Sequence, residues 1–147
     1  MTTRILYVCL GNICRSPTAE GVLRAKAGDR DVMIDSAGTG GWHVGNPPDP
    51  RAVAEARGRG IDISGLRARQ VTADDFHDFD HILAMDGSNL AALERMRPVG
   101  SKADLRLTLS DAPELGERDV PDPYYNDGFA KAYALIEAAA DGLLTRI

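Results

Sequence analysis

Cysteine is scarce in this sequence: among 147 residues only Cys9 and Cys14 occur. They lie too close together to cross-link a fold as the disulfides of small secreted proteins do. Histidine is also sparse, and the spacing of His43, His77 and His81 matches no metal-ligand pattern. We therefore interpret the cysteines as reactive thiols and expect a protein with no metal and no cofactor.

Long apolar runs are missing as well. The run Ile5-Leu6-Tyr7-Val8 is far shorter than the roughly 18 residues that a membrane span needs. The residues before it do not resemble a signal peptide, so we expect a cytoplasmic protein without a membrane span.

Basic charge is in deficit, since the formal net charge is −5. A nucleic-acid partner would favour a basic patch or stripe, so none is predicted. Four arginines occur as two close pairs in the sequence, and we interpret them as solvated surface residues. They are Arg67, Arg69, Arg95 and Arg97.

The length and the content of 44% apolar and 27% charged residues are typical of a single globular domain, here residues 1–147. Short β-rich apolar runs alternate with helical stretches, which predicts an α/β fold with a parallel sheet. Four strands are predicted: Arg4–Cys9, Val32–Ala37, Asp80–Met85 and Asp104–Thr108. The first is apolar on both faces, as expected for a strand covered by helices on each side.

Several helix starts carry capping signals. Ser16-Pro17 and Asp49-Pro50 each predict an N-cap followed by proline at the first helical position. The second of these helices is expected to stop at Gly58 or Gly60. Thr72 and Asp75 approximate a capping box before a further helix.

Two later helices show apolar stripes that are typical of core positions. One opens at Asp86 and carries Leu90, Leu93 and Met96 on one face. The last begins at about Asp127 and carries Phe129, Tyr133, Ile136 and Leu143.

Two segments are too rich in glycine, proline and aspartate for regular structure, residues 38–48 and 111–126. Ligands of open parallel sheets bind beyond the carboxyl ends of the strands, and both segments follow or neighbour such ends. The functional site is expected there.

The main motif is Val-Cys-Leu-Gly-Asn-Ile-Cys-Arg-Ser-Pro, residues 8–17. Cys9 ends a strand, and Arg15 and Ser16 lead into a helix. A loop of this kind points backbone N–H groups inward, and the helix N-terminus adds about half a positive charge. Gly11 and Asn12 tolerate the left-handed backbone that a tight cradle demands. The motif predicts an oxyanion site, and neither a Walker lysine nor a Rossmann glycine pattern is present.

The same motif predicts a nucleophile. A thiol at a helix N-terminus beside a guanidinium is a thiolate at neutral pH, so Cys9 needs no separate base. The fork of Arg15 can hold two phosphate oxygens, and the Ser16 hydroxyl can donate to the sulfur. The alternative, a buried cysteine with an unrelated arginine, is disfavoured because the flanking strand and helix supply the context that the motif requires.

Asp122 is the candidate proton donor, in Val-Pro-Asp-Pro-Tyr-Tyr, residues 120–125. The loss of a phenolate from an aryl phosphate is accelerated about 10²–10⁴-fold by a positioned acid. A dianionic phosphate nearby favours the protonated carboxyl, which can later take a proton from water. The alternative is that Asp-Pro only makes a turn.

With these motifs the chain resembles the low-molecular-weight protein tyrosine phosphatases. The resemblance includes Ser36-Ala37-Gly38-Thr39, Pro48-Asp49-Pro50-Arg51-Ala52, Ala68-Arg69-Gln70 and Met85-Asp86. It implies a three-layer α/β/α sandwich with a four-stranded parallel sheet, the phosphatase-loop fold. It also implies a metal-independent enzyme that hydrolyses phosphotyrosine through a cysteinyl-phosphate intermediate.

The resemblance implies particular roles: Cys9 as nucleophile, Arg15 as phosphate clamp and Asp122 as general acid and base. Ser36 would hydrogen-bond Asn12 and, with Ser16, hold the loop. Trp42, Tyr124 and Tyr125 would form aromatic walls. The residues expected to bind substrate are Leu10, Gly11, Asn12, Ile13, Cys14, Ser16, Trp42, Tyr124 and Tyr125. Such a slot favours phosphotyrosine, because the shorter phosphoserine would not reach the base.

Two positions carry further implications of the resemblance. Cys14 would form a reversible disulfide with Cys9 that protects the nucleophile from overoxidation. Its alternative role is that of a small apolar side chain that fills space. Leu66 stands where mammalian members carry a histidine, so the influence of that histidine on the loop would be absent.

The expected partners are a phosphotyrosine-containing protein and inorganic phosphate or other oxyanions, with the chain a monomer or weakly self-associated. An arsenate reductase would need further cysteines, and none follows Cys14. A phosphoarginine phosphatase is associated with threonine at the position of Ile13. A binding module without turnover would lack the nucleophile or the acid, and both are present.

Overall fold

A sheet of four parallel strands forms the centre of the computed structural model, which describes all of residues 1–147. The strands are β1 (Thr3–Cys9), β2 (Val32–Gly38), β3 (His81–Ala84) and β4 (Asp104–Leu107). Their order across the sheet is β2-β1-β3-β4, and every neighbouring pair is parallel. The four predicted strands are confirmed, and no strand end differs from its prediction by more than one residue.

Five α-helices connect or follow the strands: α1 (Arg15–Ala27), α2 (Pro50–Arg57), α3 (Asp75–Asp78), α4 (Gly87–Met96) and α5 (Phe129–Arg146). The segment 111–126, predicted to be irregular, contains the short 3-10 turns Pro113–Leu115 and Pro123–Tyr125, and a further 3-10 turn, Thr108–Asp111, leads into it.

The side chains of β1 explain the layered packing. Ile5, Tyr7 and Cys9 point to one face, where they pack with residues of α1, α2 and α5. Leu6 and Val8 point to the other face, where they pack with residues of α3 and α4. Each large apolar side chain buried in this way contributes about 1.5–3 kcal/mol. The result is the expected three-layer α/β/α sandwich.

The strand order places a crevice at the end of β1. The chain passes from β1 to β2 on one side, and later returns to β3 on the other. Cys9 lies opposite Gly38 of β2, and Val8 lies opposite Ala84 of β3. This is the topological switch point at which parallel α/β sheets bind ligands.

The predicted cap of α1 is wrong. Helix α1 begins at Arg15, one residue before Ser16, and no side chain caps it. Ser16 is 0% exposed inside the first turn, where its hydroxyl contacts Cys9 and Asn12. The hydroxyl is therefore available to the loop and not to the helix end.

The other caps follow the sequence more closely. The Asp49 carboxylate accepts the backbone N–H of Arg51 at 2.8 Å, with Pro50 first in α2. The Asp86 carboxylate accepts the N–H of Asn89 at 2.8 Å and caps α4. At α3 only one half of the predicted capping box forms, in which Asp75 accepts the N–H of Thr72 at 2.8 Å.

The last helix begins later than predicted, at Phe129, because Asp127 takes a left-handed backbone with φ of 57°. Its apolar stripe is buried as expected. None of the helices in this structure has the length and apolar character to cross a membrane.

Candidate active site

A cleft of about 350 Å³ opens at the end of β1. The loop of residues 9–16, called the phosphate loop below, forms its base, and residues 120–127, called the Asp122 segment, form one side. The lining residues are Cys9, Leu10, Gly11, Ile13, Cys14, Arg15, Trp42, His43, Asp122, Tyr124 and Tyr125. Of the predicted site residues, Asn12, Ser16 and Ser36 do not line the cleft, because they are buried behind the loop.

The Cys9 sulfur receives two polar contacts. The Ser16 Oγ lies 2.9 Å from it, and the backbone N–H of Asn12 donates to it at 3.3 Å. Because Asn12 Nδ2 donates to the same Ser16 Oγ at 2.7 Å, the hydroxyl proton can point at the sulfur or at the Ala37 carbonyl, which lies 3.4 Å away. The sulfur position is therefore suited to an anionic sulfur.

Asn12 connects the phosphate loop to β2 and to the segment before α3. Its Nδ2 also donates to Ser36 Oγ at 3.0 Å, which confirms the predicted hydrogen bond, and its Oδ1 accepts the N–H of Arg69 at 2.9 Å. Asn12 takes the predicted left-handed backbone, with φ of 57°. Its side chain has no remaining unused donor or acceptor group, so the loop is fixed before any ligand binds.

Gly11 does not take the left-handed backbone that we expected. Its missing side chain instead makes room for a neighbour, since a Cβ at Gly11 would lie 3.0 Å from the His43 ring. His43, which the sequence analysis assigned to no site, lines the cleft.

The loop also presents unpaired backbone donors. The N–H groups of Gly11, Ile13 and Cys14 donate to no acceptor in the protein. Donors that converge near the start of a helix form an anion-binding cradle. The predicted oxyanion site therefore has its donors in place.

Behind the loop lies a buried carboxyl that the sequence analysis missed. The Ser36 hydroxyl donates to Glu20 Oε1 at 2.7 Å, and Glu20 Oε2 pairs with Arg24 at 2.6 Å. Burial raises the pKa of Glu20, although Ser36 and Arg24 oppose that rise. Only the i, i+4 spacing of Glu20 and Arg24 hinted at this pair.

Arg15 is 3% exposed and is held from behind. Its Nη1 donates to Asp86 Oδ2 at 2.7 Å and to the carbonyl of Val120 at 2.9 Å. Burial lowers the pKa of Arg15, but Cys9 and the carboxylates of Asp86 and Asp122 outweigh it and raise the pKa overall. Nη1 is thus used for anchoring, and Nε and Nη2 stay available to an oxyanion.

Asp86 therefore has two functions, of which the sequence predicted one. Its Oδ1 caps α4 and its Oδ2 binds Arg15. A single carboxylate positions both elements, because the two oxygens point in different directions.

Asp122 lies on the cleft wall opposite the loop. Its Oδ2 is 3.6 Å from Arg15 Nη2, and its Oδ1 accepts the N–H of Tyr124 at 3.1 Å. The predicted turn is thus present, and it holds the carboxyl at the cleft. Upstream, the N–H of Val120 donates to the carbonyl of Met85 at 2.8 Å and attaches the segment to the end of β3.

Aromatic side chains form the rim. Trp42 is 72% exposed and Tyr125 is 80% exposed, whereas Tyr124 is half-exposed. The rings of Tyr124 and Tyr125 meet edge to face with centroids 5.1 Å apart. The Trp42 ring lies against the backbone of Gly40, where a Cβ would fall within 1.8 Å of it.

Cys14 is buried beside the cleft, and both cysteines are free thiols in this structure. Burial, followed by the negative charges of Asp49, Cys9 and Asp122, raises the pKa of Cys14. The two cysteines therefore differ in environment, since Cys9 has hydrogen-bond donors and Cys14 is kept neutral.

Two of the arginines expected on the surface are not simply solvated. Arg69 pairs with Asp35 and Asp75 at 3.1 and 3.0 Å, and its backbone binds Asn12. Arg97 is half-buried and donates to the carbonyls of Ser101 and Ala103. The partners of Arg97 and the Asp75 partner of Arg69 lie four to six residues away in the chain, and only Asp35 comes from a distant strand.

Leu66 packs against the larger apolar core. No group of three or more histidine, cysteine or acidic side chains is arranged to hold a metal ion.

Comparisons with known proteins agree with this geometry. The family model for the low molecular weight phosphotyrosine protein phosphatases matches residues 4–147. The low molecular weight protein-tyrosine-phosphatase YfkJ of Bacillus subtilis is 42% identical over 147 residues, 97% of this chain and 94% of that protein. A low molecular weight phosphotyrosine protein phosphatase of Schizosaccharomyces pombe is 48% identical over 137 residues, 88% of this chain and 87% of that protein.

Solved structures give the same result. The crystal structure of YfkJ superposes with a TM-score of 0.95 at 40% identity and covers 100% of this chain and 95% of that one. The Drosophila arginine phosphatase DARP superposes with a TM-score of 0.90 at 34% identity, covering 97% and 96%. The chain therefore belongs to the low molecular weight phosphotyrosine protein phosphatase family and is a phosphatase.

Proposed function

We propose that this enzyme hydrolyses phosphotyrosine in protein substrates, with Cys9 as nucleophile, Arg15 as phosphate clamp and Asp122 as general acid and base. The observation that carries the proposal is the position of the Cys9 sulfur. It lies at the base of an aromatic-rimmed cleft, receives donors from Ser16 and Asn12, and shares the lining with Arg15 and Asp122.

The phosphate binds first. The free N–H groups of the phosphate loop and the available Nε and Nη2 of Arg15 supply donors for its oxygens. Because Arg15 is already anchored by Asp86 and Val120, binding does not require it to reorganise.

Phosphoryl transfer to the enzyme follows. The Cys9 thiolate attacks phosphorus in line with the phenolic oxygen, the S–P bond forms and the P–O bond to tyrosine breaks. Asp122 gives its proton to the leaving oxygen, so tyrosine departs as a neutral phenol. The Arg15 guanidinium compensates the charge on the transferred group.

Hydrolysis of the intermediate completes the cycle. The Asp122 carboxylate takes a proton from water as the water oxygen attacks phosphorus, and the S–P bond breaks. The Ser16 hydroxyl stabilises the departing thiolate from 2.9 Å, and inorganic phosphate is released. No step needs a metal or a cofactor.

The rim supports the choice of tyrosine. A phenyl ring can pack against the faces and edges of the rim residues Trp42, Tyr124 and Tyr125. Cys9 lies deeper in the cleft and is only 3% exposed. A phosphoserine side chain is too short to place its phosphorus there with its backbone outside the rim.

Phosphoarginine is the alternative substrate, because DARP, a solved relative, is described as an arginine phosphatase. Ile13 lines the cleft here and presents an apolar side chain to whatever enters. An apolar wall favours a phenyl ring over a hydrogen-bonding guanidinium, so phosphotyrosine is the preferred reading.

Cys14 extends the proposal to redox control in the cytoplasm. A peroxide would oxidise Cys9 to a sulfenic acid, and attack by the Cys14 sulfur would release water and form the disulfide. Cys14 adjoins Cys9 in the cleft lining, which supports this role.

The test is an assay without added metal, with phosphotyrosine, phosphoserine and phosphoarginine peptides as substrates. Wild type is compared with Cys9→Ser and Asp122→Ala. Loss of turnover in Cys9→Ser with retained phosphate binding, and a drop of about 10²-fold or more in Asp122→Ala, are the expected results.

Other outcomes are equally decisive. Faster turnover of phosphoarginine would transfer the proposal to that substrate. Phosphate binding by the wild type without any turnover would reduce the chain to an anion-binding module.

A further inference from the structure

Arg51 lies beside the candidate active site without lining the cleft. It is the second residue of α2, and 42% of its side chain is exposed. Its contacts fall into two groups, one on the side of the phosphate loop and one on the Asp122 segment. The two groups together join the two halves of the site.

The first group fixes the guanidinium to Asp49. Arg51 Nε donates to Oδ1 at 3.1 Å and Nη2 donates to Oδ2 at 3.0 Å, a bidentate pair. The backbone N–H of Asp49 in turn donates to the carbonyl of Ile13 at 2.8 Å. The hydrogen bonds from Arg51 hold the pKa of Asp49 below its usual range. The anchor of Arg51 is therefore attached directly to the phosphate loop.

The second group reaches the Asp122 segment. Arg51 Nη1 donates to Asp127 Oδ1 at 2.7 Å, and Nη2 donates to the carbonyl of Tyr124 at 3.2 Å. The guanidinium carbon lies 5.4 Å from the ring centroid of Tyr124 and 4.8 Å from that of Phe129. One planar fork thus holds both the carbonyl and the ring of a rim residue.

Few other polar contacts restrain this segment. The remaining hydrogen bonds of residues 123–127 stay inside the turn or reach the neighbouring residue Gly128. Arg51 supplies every hydrogen bond that joins residues 123–127 to a more distant part of the chain. Upstream attachment comes through Asp119, which accepts the N–H of Gly87 at 3.0 Å, and through Val120 and Asp122.

From these contacts we infer that Arg51 is a positioning residue, which sets the place of the Asp122 carboxyl and the Tyr124 wall relative to the Cys9 sulfur. The inference rests on the proposed role of Asp122 as proton donor. Arg51 touches neither substrate nor reacting atoms, and acts through the turn whose N–H at Tyr124 binds Asp122.

Displacement of the acid lowers kcat/KM more for some substrates than for others. A phosphotyrosine ester must expel a phenol of pKa about 10, and depends strongly on proton donation. p-Nitrophenyl phosphate expels a much more acidic phenol and depends on it less. Loss of positioning therefore changes the ratio of kcat/KM between the two substrates, whereas loss of folded enzyme scales both equally.

The experiment compares Arg51→Met with Arg59→Met. Arg59 is a matched control, because its guanidinium also stacks on a tyrosine, Tyr133 at 4.5 Å, and pairs with a carboxylate, Glu55 at 3.2 Å. We expect Arg51→Met to lose about tenfold in kcat/KM on phosphotyrosine and about threefold or less on p-nitrophenyl phosphate. Arg59→Met should keep the wild-type ratio.

A double-mutant cycle with Asp122→Asn separates positioning from structure. Once the acid is removed, Arg51→Met can act only through the Tyr124 wall, so we expect it to cost less than about twofold further in that background. Arg51→Lys keeps the charge but not the fork, and should resemble Arg51→Met in the substrate ratio.

Each result is decisive. Equal losses on both substrates, full additivity with Asp122→Asn, or an Arg59→Met that matches Arg51→Met would overturn the inference. If Asp122→Asn itself leaves the substrate ratio unchanged, the proposed acid fails instead, which is distinguishable from failure of Arg51 alone.

Discussion

The phosphate loop and the Asp122 segment face each other across one cleft, but they are held in opposite ways. Each contains one of the two non-glycine residues with a left-handed backbone, Asn12 and Asp127, both at φ of 57°. Asn12 is 3% exposed and makes three side-chain hydrogen bonds, one to Ser16 within the loop and two to Ser36 and the Arg69 N–H outside it. The Asp127 side chain is 80% exposed and pairs only with Arg51.

The difference follows from what each half of the site has to do. An oxyanion cradle gains most when its dipoles are fixed before binding, so the Asn12 and Ser16 side chains that hold its loop are buried and hydrogen-bonded. A proton donor must meet leaving groups that enter from solvent, so its segment lies at the surface. Rigidity is thus concentrated where charge develops and is reduced where the substrate enters.

The largest expected effect is on the free energy of unfolding, when the left-handed residue on each side of the cleft is replaced by glycine. Glycine accepts φ of 57° without strain, so Asn12→Gly removes the buried side chain without straining the native backbone and leaves Ser16, Ser36 and the Arg69 N–H without their Asn12 partner. We expect it to lower the free energy of unfolding by about 3 kcal/mol. Asp127→Gly should change it by less than about 1 kcal/mol, since the lost ion pair is exposed.

Urea unfolding of both variants, followed by circular dichroism, measures these differences. Comparable losses in the two variants would show that the contrast between the loops has no energetic basis.

A moderate effect is expected at the rim. Tyr125 is 80% exposed and contacts Tyr124 edge to face. Tyr125→Ala should raise KM for a phosphotyrosine peptide by about threefold to tenfold through the lost wall, because one aromatic contact contributes about 0.5–1.5 kcal/mol. Its melting temperature should match that of wild type.

Steady-state kinetics together with a thermal melt test this separation of binding from stability. Val99→Ala, at another exposed apolar position, is the control. A marked drop in melting temperature for Tyr125→Ala would mean that the rim also stabilises the fold.

The smallest expected effect is on the pH dependence of stability, through Glu20 behind the phosphate loop. Burial raises the native pKa of Glu20 above its unfolded value of about 4.3. The native state then binds the extra proton in the window between those two values, so stability falls as pH rises through it. We expect Glu20→Gln to flatten this dependence.

Unfolding free energies of wild type and Glu20→Gln from pH 4 upward test the sign. If wild type instead gained stability over Glu20→Gln in that window, the Arg24 and Ser36 contacts would outweigh burial.

Local patterns were sufficient to predict much of the molecule. Strand boundaries followed from apolar runs, and the caps at Asp49 and Asp86 followed from residue type and spacing. The motif from Cys9 to Ser16 predicted an oxyanion loop, because each of its features lies within a few residues of the next. The cap of α1 was mispredicted because Ser16 binds Cys9 and Asn12 instead of the helix end.

Long-range partners could not be predicted in this way. The second function of Asp86, the burial of Glu20 and the place of His43 at the cleft depend on segments that meet only after folding. Arg69 was misinterpreted partly for the same reason, since Asp35 comes from β2, whereas Asp75 lies only six residues away. A single sequence shows which groups can pair, but not which groups are brought together.

The contact between Trp42 and Gly40 has a consequence for how substrate preference can diverge among relatives. The ring occupies the volume that any side chain at Gly40 would need, so the choice of residue at one position limits the choice at the other. Replacing Trp42 alone would leave a gap over bare backbone, while adding a side chain at Gly40 alone would displace the ring. A laboratory library that randomises only Trp42 would keep bare backbone at Gly40, whereas a side chain at Gly40 would be compatible only with a smaller or displaced residue at position 42.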